Sequence, residues 1–199
     1  MQPIRVLEDI LWKNSSPDCF LYSAEDLHVF FPDMSSDALM KLLSRAEKAN
    51  ILERVCKGIY LYPRVSFLAS KVLYLTASKL RSGCFNYISL ESVLCAYSII
   101  SQQMLLWLTV MTSGRSNIIR CGRFGTIEYV HTEKDGSSLN GHLHLDNWSG
   151  MLTADFKLAM EDEKDCRRKS MNLIDWDVYN YLLKEGFDNG CRQQIRINS

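Results

Sequence analysis

Two stretches of the sequence predict an α+β protein. Ser35 to Tyr62 reads as one amphipathic helix running directly into a short hairpin, and Tyr87 to Trp148 alternates β-prone segments with Gly-containing turns. With 199 residues, 47% hydrophobic and 23% charged, the chain has apolar material for one or two packed cores.

In the first stretch Leu39, Leu42, Leu43, Ala46 and Ala49 fall on one helical stripe, and Lys41, Ser44, Arg45 and Lys48 fall on the other side. Ser35 or Ser36 supplies an N-cap and Asp37 suits the positive helix end; Lys48 and Asn50 suit the negative one. Ile51 to Val55 and Ile59 to Tyr62 are β-prone and joined by Cys56-Lys57-Gly58, where Gly58 takes the positive φ of a tight turn. Upstream, Ile4, Leu7, Ile10 and Leu11 recur at helical spacing over residues 4–13, closed by Asn14-Ser15-Ser16-Pro17. Phe20-Leu21-Tyr22 is either a short strand or a lead into the next helix. Ser23 with Asp26 has the form of a capping box opening a helix through Phe30, which Pro32 ends. Helix, helix, turn, helix, hairpin is the order of a winged helix-turn-helix, expected over residues 1–63.

Residues 64–199 are expected to form a mixed α/β domain with a small sheet. A helix starts at Ser66 with Leu68, Val72, Leu75 and Leu80 inward; Tyr87-Ile88 forms a strand; Ser89 caps a helix through Tyr97. Leu105 to Thr112, Thr126 to Thr132 and His142 to Trp148 read as strands, and Thr153 to Lys169 and Asp175 to Lys184 as helices. The tail CRQQIRINS has too little apolar content to place.

Formal charge is zero, and residues 1–63 hold seven basic against nine acidic side chains, so binding nucleic acid by bulk charge is excluded. The seven cysteines are odd in number and widely spaced, which excludes a disulfide framework and a Cys-x-x-Cys zinc pair and fits reduced thiols in a cytoplasmic protein. MQPIRVLEDILWK mixes charges into a helical pattern rather than a signal peptide. The longest apolar run, around Met104 to Met111, is far short of the ~20 residues a membrane helix needs. Neither a Gly-rich phosphate loop, a nucleophile elbow nor HExxH is present, so no cofactor, metal or catalytic residue is assigned. The nearest enzymatic alternative, a nuclease built on Glu128 with Glu133-Lys134, has one carboxylate on its strand where a metal needs several. His142 and His144 share a strand face without a third ligand. Glu163 with Arg167 and Asp165 with Lys169 have the spacing of ion pairs on a solvated helix. Trp148, Trp176 and Tyr181 read as core or half-buried packing residues.

The segments YISLESVLCAYSIIS (87–101), LTVMTSGRS (108–116) and FGTIEYVHT (124–132) resemble the AbiEi family, antitoxins of abortive-infection (type IV) toxin–antitoxin systems. The likeness extends to KGIYLYP (57–63), LTADFKLAMED (152–162) and LIDWDVYNYL (173–182), covering most of the chain. It implies an N-terminal winged helix that represses its own operon and a C-terminal domain that serves antitoxicity. The implied partners are operator DNA carrying inverted repeats and a cognate nucleotidyltransferase toxin countered without a stable complex, with no membrane. The alternatives are a stand-alone winged-helix regulator and an antitoxin that sequesters its toxin by direct contact.

Within that frame Lys41, Arg45 and Lys48 are candidate phosphate contacts, and Ser36, Asp37, Met40 and Ser44 lie nearer the base edges. Arg54 and Lys57 flank the hairpin turn as candidate wing contacts. Arg115, Arg120 and Arg123 form the densest basic group of the C-terminal part, a candidate antitoxin or second nucleic-acid surface. For each group the alternative is an ordinary solvated surface.

Overall fold

A computed structural model describes residues 2–101 and 106–185. The tail CRQQIRINS with Cys191, and Met104 and Leu105 of the apolar run, lie outside the described residues. The fold is mixed α+β with a three-stranded and a six-stranded sheet. By compactness the chain divides into two units, residues 1–82 with 119–126, and residues 83–118 with 127–199. The division falls past residue 63, so the helix that follows the hairpin belongs to the first unit.

In the first unit α1 (Pro3–Asn14) buries Leu7 and Leu11. Leu21–Ser23 is a strand, β1. Ser23 Oγ accepts from Asp26 N at 3.0 Å while Asp26 Oδ2 accepts from Ser23 N at 2.8 Å, a reciprocal capping box that opens α2 (Ala24–His28). Asp26 Oδ2 also accepts from Lys79 Nζ at 2.7 Å; burial works to raise its pKa, but these donors hold it below the usual carboxylate range. The helix α3 (Ser36–Lys48) is capped by Ser35, whose Oγ accepts from Ala38 N. Its Leu39, Leu42, Leu43 and Ala46 are buried against Leu7, Leu11, Leu27 and Tyr60 in one core. Ala49, placed by periodicity on the same stripe, is exposed, because the helix has ended and Asn50 turns the chain at φ +54.

The hairpin is β2 (Glu53–Cys56) and β3 (Ile59–Leu61), antiparallel and joined by Lys57-Gly58. Gly58 sits at φ +82, a region closed to most L side chains. β3 also pairs antiparallel with β1, giving the order β1-β3-β2. The helix α4 (Ala69–Leu80) starts three residues later than its pattern suggests and packs Val72, Leu73, Thr76 and Ala77. Leu68 is exposed and Leu75 and Leu80 half-buried, since the face is set by what the helix packs on rather than by counting leucines.

The six-stranded sheet, of order β6-β7-β5-β4-β9-β8, comprises β4 (Asn86–Ile88), β5 (Trp107–Thr112), β6 (Asn117–Arg120), β7 (Thr126–His131), β8 (Leu143–Asp146) and β9 (Met151–Ala154), and all of its residues but Ile119, Arg120 and Thr126 belong to the second unit. β4 pairs antiparallel with β5 and parallel with β9, which pairs antiparallel with β8. Thr153 is therefore strand rather than the start of a helix: it faces Ile88 on one side and His144 on the other. The helix begins three residues on as α6 (Phe156–Asp165), where Asp155 Oδ1 caps Leu158 N at 2.7 Å.

Ser89 does not cap α5 (Glu91–Ala96). Leu90 holds the position before the helix at φ +56, and the Ser89 hydroxyl is spent on Asp162 instead. A 3-10 turn (Lys169–Leu173) leads to α7 (Trp176–Glu185). On α7 both Trp176 and Tyr181 are exposed, the Trp176 ring meeting Tyr179 edge-on rather than entering the core; Trp148 is half-buried.

Candidate nucleic-acid interface

The packed stripe of α3 fixes which way its other face points. Lys41, Arg45 and Lys48, at four- and three-residue steps, share one exposed face, with Ser44 beside them. Ser36 and Asp37 are exposed at the N-terminal end, and Met40 is 40% exposed in spite of being apolar. A row of three cations with short polar side chains toward the helix start matches the division of labour between phosphate and base contacts. Asp37 and the half-buried Glu47 lie on the same helix, so the face is a stripe and not a field.

At the hairpin, Lys57 is exposed at the turn. Arg54 is exposed too, but its Nε donates to Cys56 O at 3.3 Å along its own strand, across a bulge at Val55. Lys57 therefore projects from the turn while Arg54 is drawn back toward the strand.

The arginines 115, 120 and 123 are divided between the two units. Arg115 belongs to the second unit, Arg120 and Arg123 to the first. Arg123 is engaged: Nε and Nη2 donate to Glu53 Oε1 and Oε2 at 2.8 and 2.9 Å, and the guanidinium lies 4.3 Å from the Phe124 ring centroid. This bidentate partner raises the Arg123 pKa and offsets its charge. Arg120 is exposed at the end of β6.

The second unit assembles a cluster around Arg168 that local spacing could not reveal. Its guanidinium donates to Glu91 Oε1 at 2.8 Å and to Glu128 Oε2 at 3.0 Å, and Trp107 Nε1 donates to the same Glu128 oxygen at 3.0 Å. Ser170 Oγ bonds to both Glu91 and Glu163. The hydrogen bonds from Arg168 hold Glu128 below its ordinary pKa. Burial, with Glu91 and Glu128 nearby, pushes Glu163 from 4.5 up to about 7 in spite of the Ser170 hydrogen bond. Among the described residues, the remaining oxygens of Glu91 and Glu163 are buried without a hydrogen-bond partner. A cavity of roughly 670 Å3 opens beside the cluster, lined by Glu91, Arg167, Arg168, Lys169 and Ser170 among others.

Glu128 is thus joined by two further carboxylates, but a guanidinium occupies the place between them. Among the described residues no group of three or more His, Cys, Asp or Glu is arranged to hold a metal ion. His142 precedes the strand and bonds through Nδ1 to Asp155 at 2.8 Å. The pairs Glu163 with Arg167 and Asp165 with Lys169 do not form, because α6 stops at Asp165 and Arg167 turns left-handed at φ +50. Glu163 is buried instead, and Asp165 meets Lys134 at 2.9 Å.

No family model matches this chain, and no curated protein matches it. Among the described residues no helix is long and apolar enough to cross a membrane.

Proposed function

We propose that this chain is an AbiEi-like antitoxin that represses its own operon, its first unit acting as a winged helix-turn-helix on operator DNA. The observation that carries the reading is the exposed row Lys41, Arg45 and Lys48 on α3, with Lys57 projecting from the hairpin of the same unit. Ser36, Asp37, Met40 and Ser44 of α3 enter the major groove, the row flanks them on phosphates, and the hairpin turn touches the adjoining backbone. Four phosphate contacts give a salt slope of about 3 to 4, modest for one module, so two modules on an inverted repeat supply the working affinity. The second unit serves antitoxicity against a nucleotidyltransferase toxin, and no catalytic step is assigned to it. The motif likeness at residues 87–132 supports that half of the reading.

The test is a mobility shift with the DNA upstream of the chain's own gene. Arg45→Glu with Lys48→Glu abolishes the shift while the circular dichroism spectrum stays that of the wild type; unchanged binding moves the DNA site off α3. Co-expression with the neighbouring toxin gene tests the second half: rescue without co-purification fits indirect neutralisation, and a stable complex replaces it with sequestration.

A further inference from the structure

Two of the chain's thiols, far apart in sequence, meet in the first unit. Cys56 ends β2 beside the Lys57-Gly58 turn, and Cys121 precedes the 3-10 turn Gly122–Phe124. Each thiol donates to a carbonyl of its own segment at 3.9 Å, Cys56 Sγ to Lys57 O and Cys121 Sγ to Ile119 O, and the two lie close enough to shift each other's acidity. Both are free and buried, Cys56 at 8% exposure and Cys121 at 0%.

The surroundings hold the two backbones together. A Cβ placed on Gly122 would lie 3.9 Å from Val55 O, so the turn runs against the strand that carries Cys56. One residue further, Arg123 grips Glu53 of the same strand at both oxygens. Cys121 N donates to Gly125 O at 2.7 Å, closing the turn, and Phe124 packs on Phe67, which stacks on Phe20. A disulfide needs its two Cα atoms within about 7 Å and its Cβ atoms facing, and the approach of the Gly122 turn to the Val55 carbonyl brings the adjoining residues Cys121 and Cys56 into that neighbourhood.

We infer that Cys56 and Cys121 are a redox-reactive pair, oxidised to an internal disulfide by a small peroxide that reaches Cys56. Cys56 is the more accessible sulfur, 8% exposed against 0% for Cys121, and the Cys121 thiol and the Arg54 cation hold its pKa below the ordinary thiol value against burial. Cys56 is therefore the attacking sulfur and Cys121 the resolving one. The Cys56 thiol gives its proton to solvent, the thiolate attacks one peroxide oxygen, the O–O bond breaks, and the departing hydroxide takes up a proton from solvent to leave as water, giving a sulfenic acid. Cys121 then attacks the Cys56 sulfur, the S–O bond breaks, and the expelled hydroxide takes the Cys121 proton as a second water. The two thiols supply two electrons and one peroxide accepts them. The crosslink ties the hairpin turn to residues 119–126, and it forms whether or not that hairpin touches DNA.

The experiment is non-reducing peptide mapping of the reduced full-length chain before and after hydrogen peroxide, under denaturing alkylation. The expected result is a Cys56–Cys121 crosslinked peptide that dithiothreitol removes, with most Cys19, exposed in the same unit, still recovered as alkylated or singly oxidised thiol. In Cys121→Ser, dimedone labels Cys56; in Cys56→Ser, it leaves Cys121 unlabelled. Absence of the crosslink in the wild-type chain, or its formation with Cys19 in place of Cys121, overturns the pair. A dimedone adduct on Cys121 in Cys56→Ser overturns the assignment of the attacking sulfur.

Discussion

Ser89 Oγ donates to Asp162 Oδ2 at 2.6 Å, and both residues are fully buried. The same carboxylate accepts from Tyr87 OH at 3.3 Å and from Lys134 Nζ at 2.8 Å, so a β4 residue, the residue after it, a loop and α6 meet on one group. Removing it as Asp162→Ala leaves the buried Ser89 hydroxyl without its acceptor and leaves the Lys134 cation with Asp165 alone. The expected cost is about 3–5 kcal/mol of unfolding free energy. Asp162→Asn, which keeps one oxygen and loses the charge, costs less, on the order of 1–3 kcal/mol. Asp165→Ala, whose side chain is 62% exposed, costs under about 1 kcal/mol. Urea unfolding of the three variants checks the order; an Asp162→Ala midpoint no lower than that of Asp165→Ala contradicts the buried network.

Glu163 gives the second unit a pH dependence of unusual sign for a carboxylate. Its pKa in the folded chain is about 7 against an ordinary 4.5, so the folded state binds this proton more tightly than the unfolded one. The stability it lends is fully present below about 4.5 and is lost as pH rises through 7. Glu163→Gln keeps the shape and a partner for Ser170 while removing the ionisation. The difference between variant and wild-type unfolding free energies therefore grows in favour of the variant from pH 4.5 to 7 and is flat above, by at most about 3 kcal/mol. Carboxylates held low by cations, such as Glu128, fall out of that difference because both proteins share them. A difference curve that is level across the window would mean that Glu163 is ionised in the fold.

Features resolved by neighbours in sequence were legible before the fold was known. The Ser23 and Asp26 capping box, the Leu39, Leu42, Leu43 and Ala46 stripe, and the Gly58 turn all depend on residues within four positions of one another. What misled was chemistry completed from afar. Ser89 looks like a helix cap because a serine before a helical run has one local use, whereas its partner lies 73 residues away. Asp162 and Glu163 look solvated because their string of charges is read as an exposed face; Lys134 beside Asp162, and Ser170 with a raised pKa at Glu163, make their burial tolerable. Thr153 shares the pattern of the following helix, because only a neighbouring strand on each side identifies it as sheet interior. The candidate DNA face itself was legible as a pattern, since the burial of α3 decides what its other side exposes. The Cys56 and Cys121 contact was not, because a spacing this wide carries no periodicity.

Arg123 is spoken for by Glu53, which separates it from the other arginines of its segment. Arg123→Ala removes a largely exposed pair and one cation–π contact, so the loss of stability is about 1 kcal/mol or less. Because its charge is already offset, the salt slope of DNA binding and the rescue of toxin-arrested cells should both stay within error of the wild type. Arg120→Ala, in the same segment but without that partner geometry, is the matched comparison. If Arg123→Ala alone abolishes rescue, the Glu53 pair opens in the working state and Arg123 belongs to the proposed antitoxin surface.

The hairpin turn separates folding from binding within two adjacent residues. Gly58 lies at φ +82 with nothing within 4 Å of where a Cβ would stand, so Gly58→Ala meets no clash and pays only the backbone penalty. That penalty is about 1–2 kcal/mol, read as a lower melting temperature. Lys57→Ala is an exposed change beside it and should leave the melting temperature within about a degree. If the turn touches the DNA backbone, Lys57→Ala lowers the salt slope of operator binding by about one and weakens all DNA sequences alike. Gly58→Ala, measured well below its melting point, keeps the Lys57 charge and hence the slope. Equal slopes for Lys57→Ala and wild type would confine the interface to α3, where Lys41, Arg45 and Lys48 would then have to supply every phosphate contact of the unit.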